Sequence, residues 1–352
     1  MASSSDHPEP SSRTDLPRVT IAIATNEDEA RIEACLRTAL RQDYPTDLID
    51  IVVADGMSMD ATREVVLRVA GEEPRVRLVD NPHRTRAAAL NAVLETTTSE
   101  VIVPMDPSGD YARTHVAKCV EALSSSPAEQ LAIVPRPSGR TIVERALAAV
   151  QSTRLAFAAG AELARGSDPV PTLLGAVRRR VFDRVGLFDP GTRCEEDVEL
   201  SRRITRAGGA LTVRRDIVVT RPDASSFKDL FRRHYQLGRS RGRRTVKERR
   251  ISSIRELAPL AIVTCGGALA ATATFQPLTP IAAAMYALMT GAAAVRVGRQ
   301  EGIVTIPFAW AAYPVMHLAH GVGFGSGVVR SALRPDWKAA SRAGAQEAPA
   351  AG

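Results

Sequence analysis

Four short apolar runs, each closed by a turn and followed by a helical pattern, constrain this chain more than any other feature in it. Val19–Ala24, Ile49–Ala54, Val76–Val79 and Val101–Met105 each have the length of a buried strand. Between them, Ile32, Cys35, Leu36, Ala39 and Leu40 recur on one helical face, and Val65, Val66 and Val69 on another that starts at Asp60-Ala61-Thr62. Arg86–Leu94 reads as a third helix. Such alternation predicts an α/β fold, a doubly wound and mostly parallel sheet with its loops converging on one edge. The first strand runs into Thr25-Asn26-Glu27 and carries no GxGxxG, which argues against a dehydrogenase-type dinucleotide site.

The pattern loosens after Tyr111. A helix is expected over His115–Leu123, a strand over Gln130–Val134 and a helix over Thr141–Ala159. A loop through Gly166-Ser167-Asp168-Pro169 leads to a strand over Thr172–Val177, three acids open a helix at Glu195-Glu196-Asp197, and Leu211–Val219 supplies one or two last strands. From Leu257 to Val295 no residue is charged, and the run is divided at Gln276-Pro277 and Pro280. A bilayer takes about twenty apolar residues per crossing, so this length predicts a helical membrane hairpin. Residues 302–329 form a further uncharged stretch, interrupted by Pro307 and Pro314, that either spans or re-enters. The domains expected are a disordered N-terminus (1–17), a catalytic domain (18–230), a basic amphipathic juxtamembrane segment (231–256), a membrane region (257–329) and a flexible tail (330–352).

The chain of 352 residues carries a net charge of +7, with a dense run of Arg and Lys between Arg232 and Arg255. That run lies beside the apolar region and has few aromatic residues, so an anionic membrane surface fits it better than nucleic acid. The four cysteines show no metal-ligand spacing and read as reduced thiols. The first seventeen residues hold no apolar core of a secretory signal, which predicts a cytoplasmic catalytic domain at the cell membrane.

Three acidic sites follow the strands in order. Asp55 and Asp60 come after the second strand, Asp106 and Asp110 after the fourth, and Glu195-Glu196-Asp197 at the later helix start. Carboxylates at strand tips suit a divalent cation that neutralises a diphosphate leaving group, and a carboxylate base can take the proton of an acceptor hydroxyl. The stretches TIAIATNE, VVADGMSMDAT, NPHRTRAAALNAVLE, MDPSGD and EEDVELSRRI, in this order, resemble the family 2 glycosyltransferases of GT-A fold over Arg18 to Val219. FRRHYQLGRSRGR with the apolar region and HLAHGVGFGSG is similar to the succinoglycan-type exopolysaccharide members.

The resemblance implies an inverting transfer from a nucleotide-sugar donor to a polyprenyl-linked or other lipid-linked acceptor, with Mn²⁺ or Mg²⁺ as cofactor. It places Glu27, Asp55, Asp60 and Arg86 at the nucleotide, with Asp55 reaching the base. Asp106 falls at the diphosphate and metal, where Asp110 loops back as a further ligand, or Asp106 works alone with water, or metal dependence is lost; Asp197 is the general base with Glu196 as the other candidate. Arg239 and Arg241 are expected to grip a lipid phosphate. Two departures stand out: Ser108 replaces the second carboxylate of the DxD motif, and QLGRS has the Gln and Arg of QxxRW without its Trp. A polyprenyl-phosphate glycosyltransferase and a non-catalytic nucleotide-binding scaffold remain the alternatives.

Overall fold

The first half of the chain lays down β1 (Val19–Thr25), α1 (Glu29–Leu40), β2 (Ile49–Asp55), α2 (Thr62–Glu72), β3 (Val76–Asp80), α3 (Arg86–Thr96) and β4 (Val101–Met105). The structure, a computed structural model, describes residues 16–151, 153–156, 173–192, 194–222, 224–249, 257–272 and 278–334. β1 pairs in parallel with β2 on one side and β4 on the other, and β2 pairs in parallel with β3. Helices cover both faces of these strands, so β1, β2 and β4 are apolar almost throughout rather than alternating. Ile32, Leu36, Val66 and Val120 fill one face, and Ala87, Leu90, Val93, Leu200 and Ile204 the other. The strands grow one way from β1 to β3, then β4 joins on the opposite side. That reversal opens a crevice at the carboxyl ends of β1 and β4.

The chain continues through β5 (Asp110–Tyr111), α4 (His115–Ser124), β6 (Gln130–Ile133), β7 (Arg136–Ser138), α5 (Ile142–Gln151), β8 (Leu173–Arg178), α6 (Val181–Val185), α7 (Glu196–Arg206), β9 (Leu211–Arg214) and β10 (Val219–Pro222). Among the described residues the main sheet has seven strands in the order β3-β2-β1-β4-β8-β6-β9, and a small one the order β5-β10-β7. β8 runs antiparallel to both β4 and β6, so the doubly wound sheet is mostly rather than wholly parallel. The helix expected over 141–159 is seen as α5, ending at Gln151. Residues 157–159, the loop at 166–169, the stretch 250–256, the turn at Gln276-Pro277, positions 1–15 of the N-terminus and the tail from 335 lie outside the described residues.

Four helices complete the chain: α8 (Phe227–Glu248), α9 (Ala258–Ala271), α10 (Leu278–Glu301) and α11 (Ile306–Leu333). The expected boundary at 230–231 falls inside α8. α8 is two-sided, burying Leu230, His234, Gly238, Arg241, Gly242 and Arg244. It packs along α11 through glycines on both helices: a Cβ at Gly238 or Gly242 would overlap the carbonyl of His320 or Phe324, and one at Gly323 or Gly327 that of Tyr235 or Arg239. Small residues at this spacing let two backbones come together. Pro307 sits in the first turn of α11, where its missing N–H is harmless, and the helix continues through Pro314. Ala146, Leu147 and Val150 of α5 share a core with Ala294 and Val297 of α10 and Ala309, Ala312, Tyr313 and Met316 of α11. The last helices are thus joined to the sheet domain. By length and composition one helix among the described residues, α10, is apolar enough to cross a membrane, and its side chains are mostly exposed.

Candidate active site

The loops after β1 and β2 hold each other. Met59 N–H donates to the Glu27 carboxylate (2.8 Å), and Glu27 N–H donates to Ser58 Oγ (2.9 Å). Asp60 accepts from Glu29 N–H (3.2 Å) and Thr62 N–H (3.0 Å), while the Glu29 carboxylate accepts from Ala61 N–H (3.1 Å). Asp55, fully buried at the end of β2, accepts from Ser58 Oγ (2.5 Å), Ser58 N–H (3.0 Å) and Arg63 Nη1 (2.9 Å). Arg63 also reaches Asp80 at 2.9 Å. Glu27, Asp55 and Asp60 therefore stand where the sequence puts them, at the crevice, but their carboxylates shape the two loops. Asp55 in particular points into its own loop, because Ser58 and Arg63 satisfy both of its oxygens.

At the tip of β4, Asp106 Oδ1 accepts from Ser108 N–H (2.9 Å) and Ser108 Oγ (2.6 Å), and Oδ2 lies 3.3 Å from Arg221 Nη2 on β10. Its backbone N–H donates to Tyr111 Oη at 2.7 Å. Burial works against the charge of Asp106, yet Arg221 and the Ser108 bonds hold its carboxyl below the ordinary range. Ser108, the departure from DxD, thus orients Asp106. Asp110 is exposed on β5, and among the described residues no group of three or more His, Cys, Asp and Glu is arranged to hold a metal. A cavity of about 540 Å³ opens at this loop, with Arg31, Ser108, Asp110, Arg140 and Glu144 in its wall.

The third acidic site is the start of α7. Glu196 and Asp197 are 6 % and 5 % exposed. Arg86, the first residue of α3, forms an ion pair with Glu196 and lies within electrostatic reach of both Asp197 and Asp106. This brings together groups 110 positions apart. One oxygen of Asp197 accepts from Val198 N–H at 3.0 Å, and the other has no partner among the described residues. Burial first, and the charge of Glu196 next, push the Asp197 carboxyl up, against the pull of Arg86. A carboxylate that is costly to ionise and has a free oxygen is suited to accept a proton.

Arg241 does not lie open for a phosphate: its side chain is 5 % exposed and binds Glu195 at 2.7 Å, because α8 turns that face toward α7. Arg239 is half-buried on α8, with its carbonyl against Gly327. The sequence reading missed Arg63, Arg221 and the Glu195 pairs. Each involves an arginine whose partner sits on another element, and only Arg63 lies near its partner in the chain, directly after the Asp60-Ala61-Thr62 start. Four residues around the crevice, Glu27, Met57, Arg84 and Glu195, have φ between 54° and 61°. Left-handed backbone at non-glycine positions gathers where side chains must be held at a set angle.

Residues 20–186 match the family described as Glycosyl transferase family 2. The chain is 28% identical over 319 residues to the succinoglycan biosynthesis protein ExoA of Rhizobium meliloti, covering 86% of this chain and 93% of that one. It is 22% identical over 228 residues to glycosyltransferase AglE of Haloferax volcanii, covering 64% and 73%. Its fold is similar to that of a mannosyltransferase, PcManGT from Pyrobaculum calidifontis, solved in complex with GDP-Man and Mn2+. The TM-score is 0.59 at 24% identity, over 88% of each chain. With the ordered acidic sites and the mostly parallel sheet, these matches show a GT-A-like fold whose residues 20–186 match the family 2 glycosyltransferases.

Proposed function

We propose that the protein transfers one sugar, with inversion, from a nucleotide-diphosphate sugar to a lipid-linked saccharide in exopolysaccharide synthesis at the membrane. The observation that carries this reading is the start of α7. Asp197 is buried, its carboxyl is raised, one of its oxygens has no partner among the described residues, and Arg86 occupies the neighbouring Glu196. Between the two candidate bases this favours Asp197, since Glu196 is committed to an ion pair. Asp197 would take the proton of the acceptor hydroxyl as that oxygen attacks the anomeric carbon, while Arg86 keeps the acidic cluster near neutral charge.

Asp106 would face the diphosphate at the β4 tip. A divalent cation fits here if it is bound jointly with the donor, because Mg²⁺-type ions accept one or two carboxylates and complete their shell with phosphate oxygens and water. Such a cation supplies stabilisation of charge on the leaving diphosphate. The family relationship and the Mn2+ in the mannosyltransferase support the need for it, although the donor of this chain need not be the same. The Glu27–Ser58–Asp60 loops would form the nucleotide wall. The exposed apolar side chains of α10, such as Leu278, Ile281, Met285 and Leu288, would meet lipid.

The test is a screen of nucleotide release by the full chain in detergent against UDP-, GDP- and dTDP-sugars, with and without Mn²⁺. One donor should be turned over, and Asp197→Asn should lower its rate by about 10²–10⁴-fold. Turnover unaffected by that substitution removes Asp197 as the base, and absence of donor binding removes the transferase reading.

A further inference from the structure

The start of α7 lacks the device that most helices use. A helix is ordinarily opened by a Ser, Thr, Asp or Asn whose side chain accepts from its first free N–H groups. Glu195 occupies that position in the left-handed conformation (φ 61°) and makes no side-chain cap. Its carboxylate turns away from the helix into α8. There Oε1 accepts from Arg241 Nη2 (2.7 Å) and Oε2 from Arg244 Nη1 (2.9 Å), with Arg241 Nε 3.2 Å from both. Ser240 Oγ donates to the carbonyl of Cys194 at 2.9 Å. The residues immediately before Glu196 and Asp197 are thus held from outside.

We propose that Glu195 is a positioning residue, and that Arg241 and Arg244 act through it to set where Asp197 points. The inference rests on Asp197 being the base. Burial opposes a charge on Glu195, and the two guanidinium groups overcome it, holding the carboxyl far below the usual range. A two-armed guanidinium contact fixes direction as well as distance. The same helix anchors the other flank of the site: Arg243 (3.1 Å) and Lys247 (2.6 Å) hold Asp189, and the next residue, Pro190, accepts at its carbonyl from Thr85 Oγ1 (3.1 Å), directly before Arg86. α8 is itself fixed along an adjacent face by the glycine seam with α11. The basic run of the sequence therefore has a purpose besides lipid contact. Its inner arginines bind the acidic start of the catalytic helix.

The test uses the full chain with Arg241→Met, Arg241→Lys and Arg244→Met, and Arg232→Met, exposed on the same helix, as the control for loss of charge. Amide hydrogen exchange is read at residues 194–198 and at the far end of α7. Turnover is read on whichever nucleotide sugar the wild type hydrolyses. Arg241→Met should raise exchange at 194–198 at least about tenfold, leave the far end of α7 unchanged and lower kcat about 10–100-fold with KM for the donor within about twofold. Arg241→Lys should recover part of kcat, and the control should match wild type. Unchanged exchange at 194–198, or a loss of activity that only follows the fraction of folded protein, overturns the proposal. If the wild type turns over no nucleotide sugar, the functional assignment fails on its own, and the exchange pattern alone decides whether α8 orders the start of α7. Arg241→Lys and Arg244→Met keep the test open should Arg241→Met fail to fold.

Discussion

Replacing Asp197 by Asn should move activity and stability in opposite directions. Burial, followed by the charge of Glu196, raises the Asp197 carboxyl from 3.8 to about 7. A group raised on folding favours the folded state while it keeps its proton, and that contribution is lost as pH rises from about 4 through about 7. Above that window the ionised carboxylate costs on the order of 4 kcal/mol, since each tenfold change in proton affinity is worth about 1.4 kcal/mol. Relaxation and water entry around a buried charge take up part of this, and allowing for half leaves about 2 kcal/mol. Asn keeps the Oδ1 that accepts from Val198 N–H and carries no charge, so Tm should rise by about 2–4 °C at about pH 8.5. The difference should shrink to less than half at about pH 5 and close only below about pH 4, where the carboxyl is neutral in the unfolded chain as well. Paired thermal melts in detergent, run beside nucleotide-release rates, read both effects. A rise of equal size at the two pH values, or a fall at the higher one, refutes the reasoning, since Asp197 would then not be held against its own charge.

Arg86→Met removes the cation shared by Glu196, Asp197 and Asp106, so the acid limb of the pH–rate profile should move to higher pH, with a larger loss at about pH 7 than at about pH 9. A limb that stays in place counts against it. Arg221→Ala frees Asp106 Oδ2 from a partly exposed pair worth up to about 1 kcal/mol, so the Mn²⁺ concentration giving half-maximal rate should fall by up to about fivefold. An unchanged Mn²⁺ titration would show that Arg221 and the cation do not compete. Gly242→Ala pushes a methyl group into the carbonyl of Phe324 and should destabilise by about 1–3 kcal/mol, whereas Gly71→Ala, with nothing within reach on α2, should stabilise by up to about 1 kcal/mol. Equal melting shifts for the two would mean that α8 and α11 are not in backbone contact.

The first four strands and three helices were legible because parallel strands covered on both faces appear as unbroken apolar runs, and their helices keep a 3.6-residue period. The small sheet was not legible, since β5, β7 and β10 are two to four residues long and show no period. The acids of the site could be placed at the correct strand ends, but not aimed. Asp55 turns inward because Ser58 and Arg63 lie just beyond it, and Asp106 is steered by Ser108 and by Arg221, which arrives from β10. Pairs such as Arg86 with Glu196 and Arg241 with Glu195 join distant elements and leave no local pattern. The basic run suggested a lipid-facing helix because a count of charges does not say which of them a neighbouring helix will cover.

The core shared by α5, α10 and α11 bears on how the enzyme can be handled. Truncation before Leu257, the obvious way to obtain a fragment free of detergent, would strip α5 of its apolar cover and leave the glycine side of α8 bare. Such a fragment would expose fresh apolar surface on the domain it was meant to isolate.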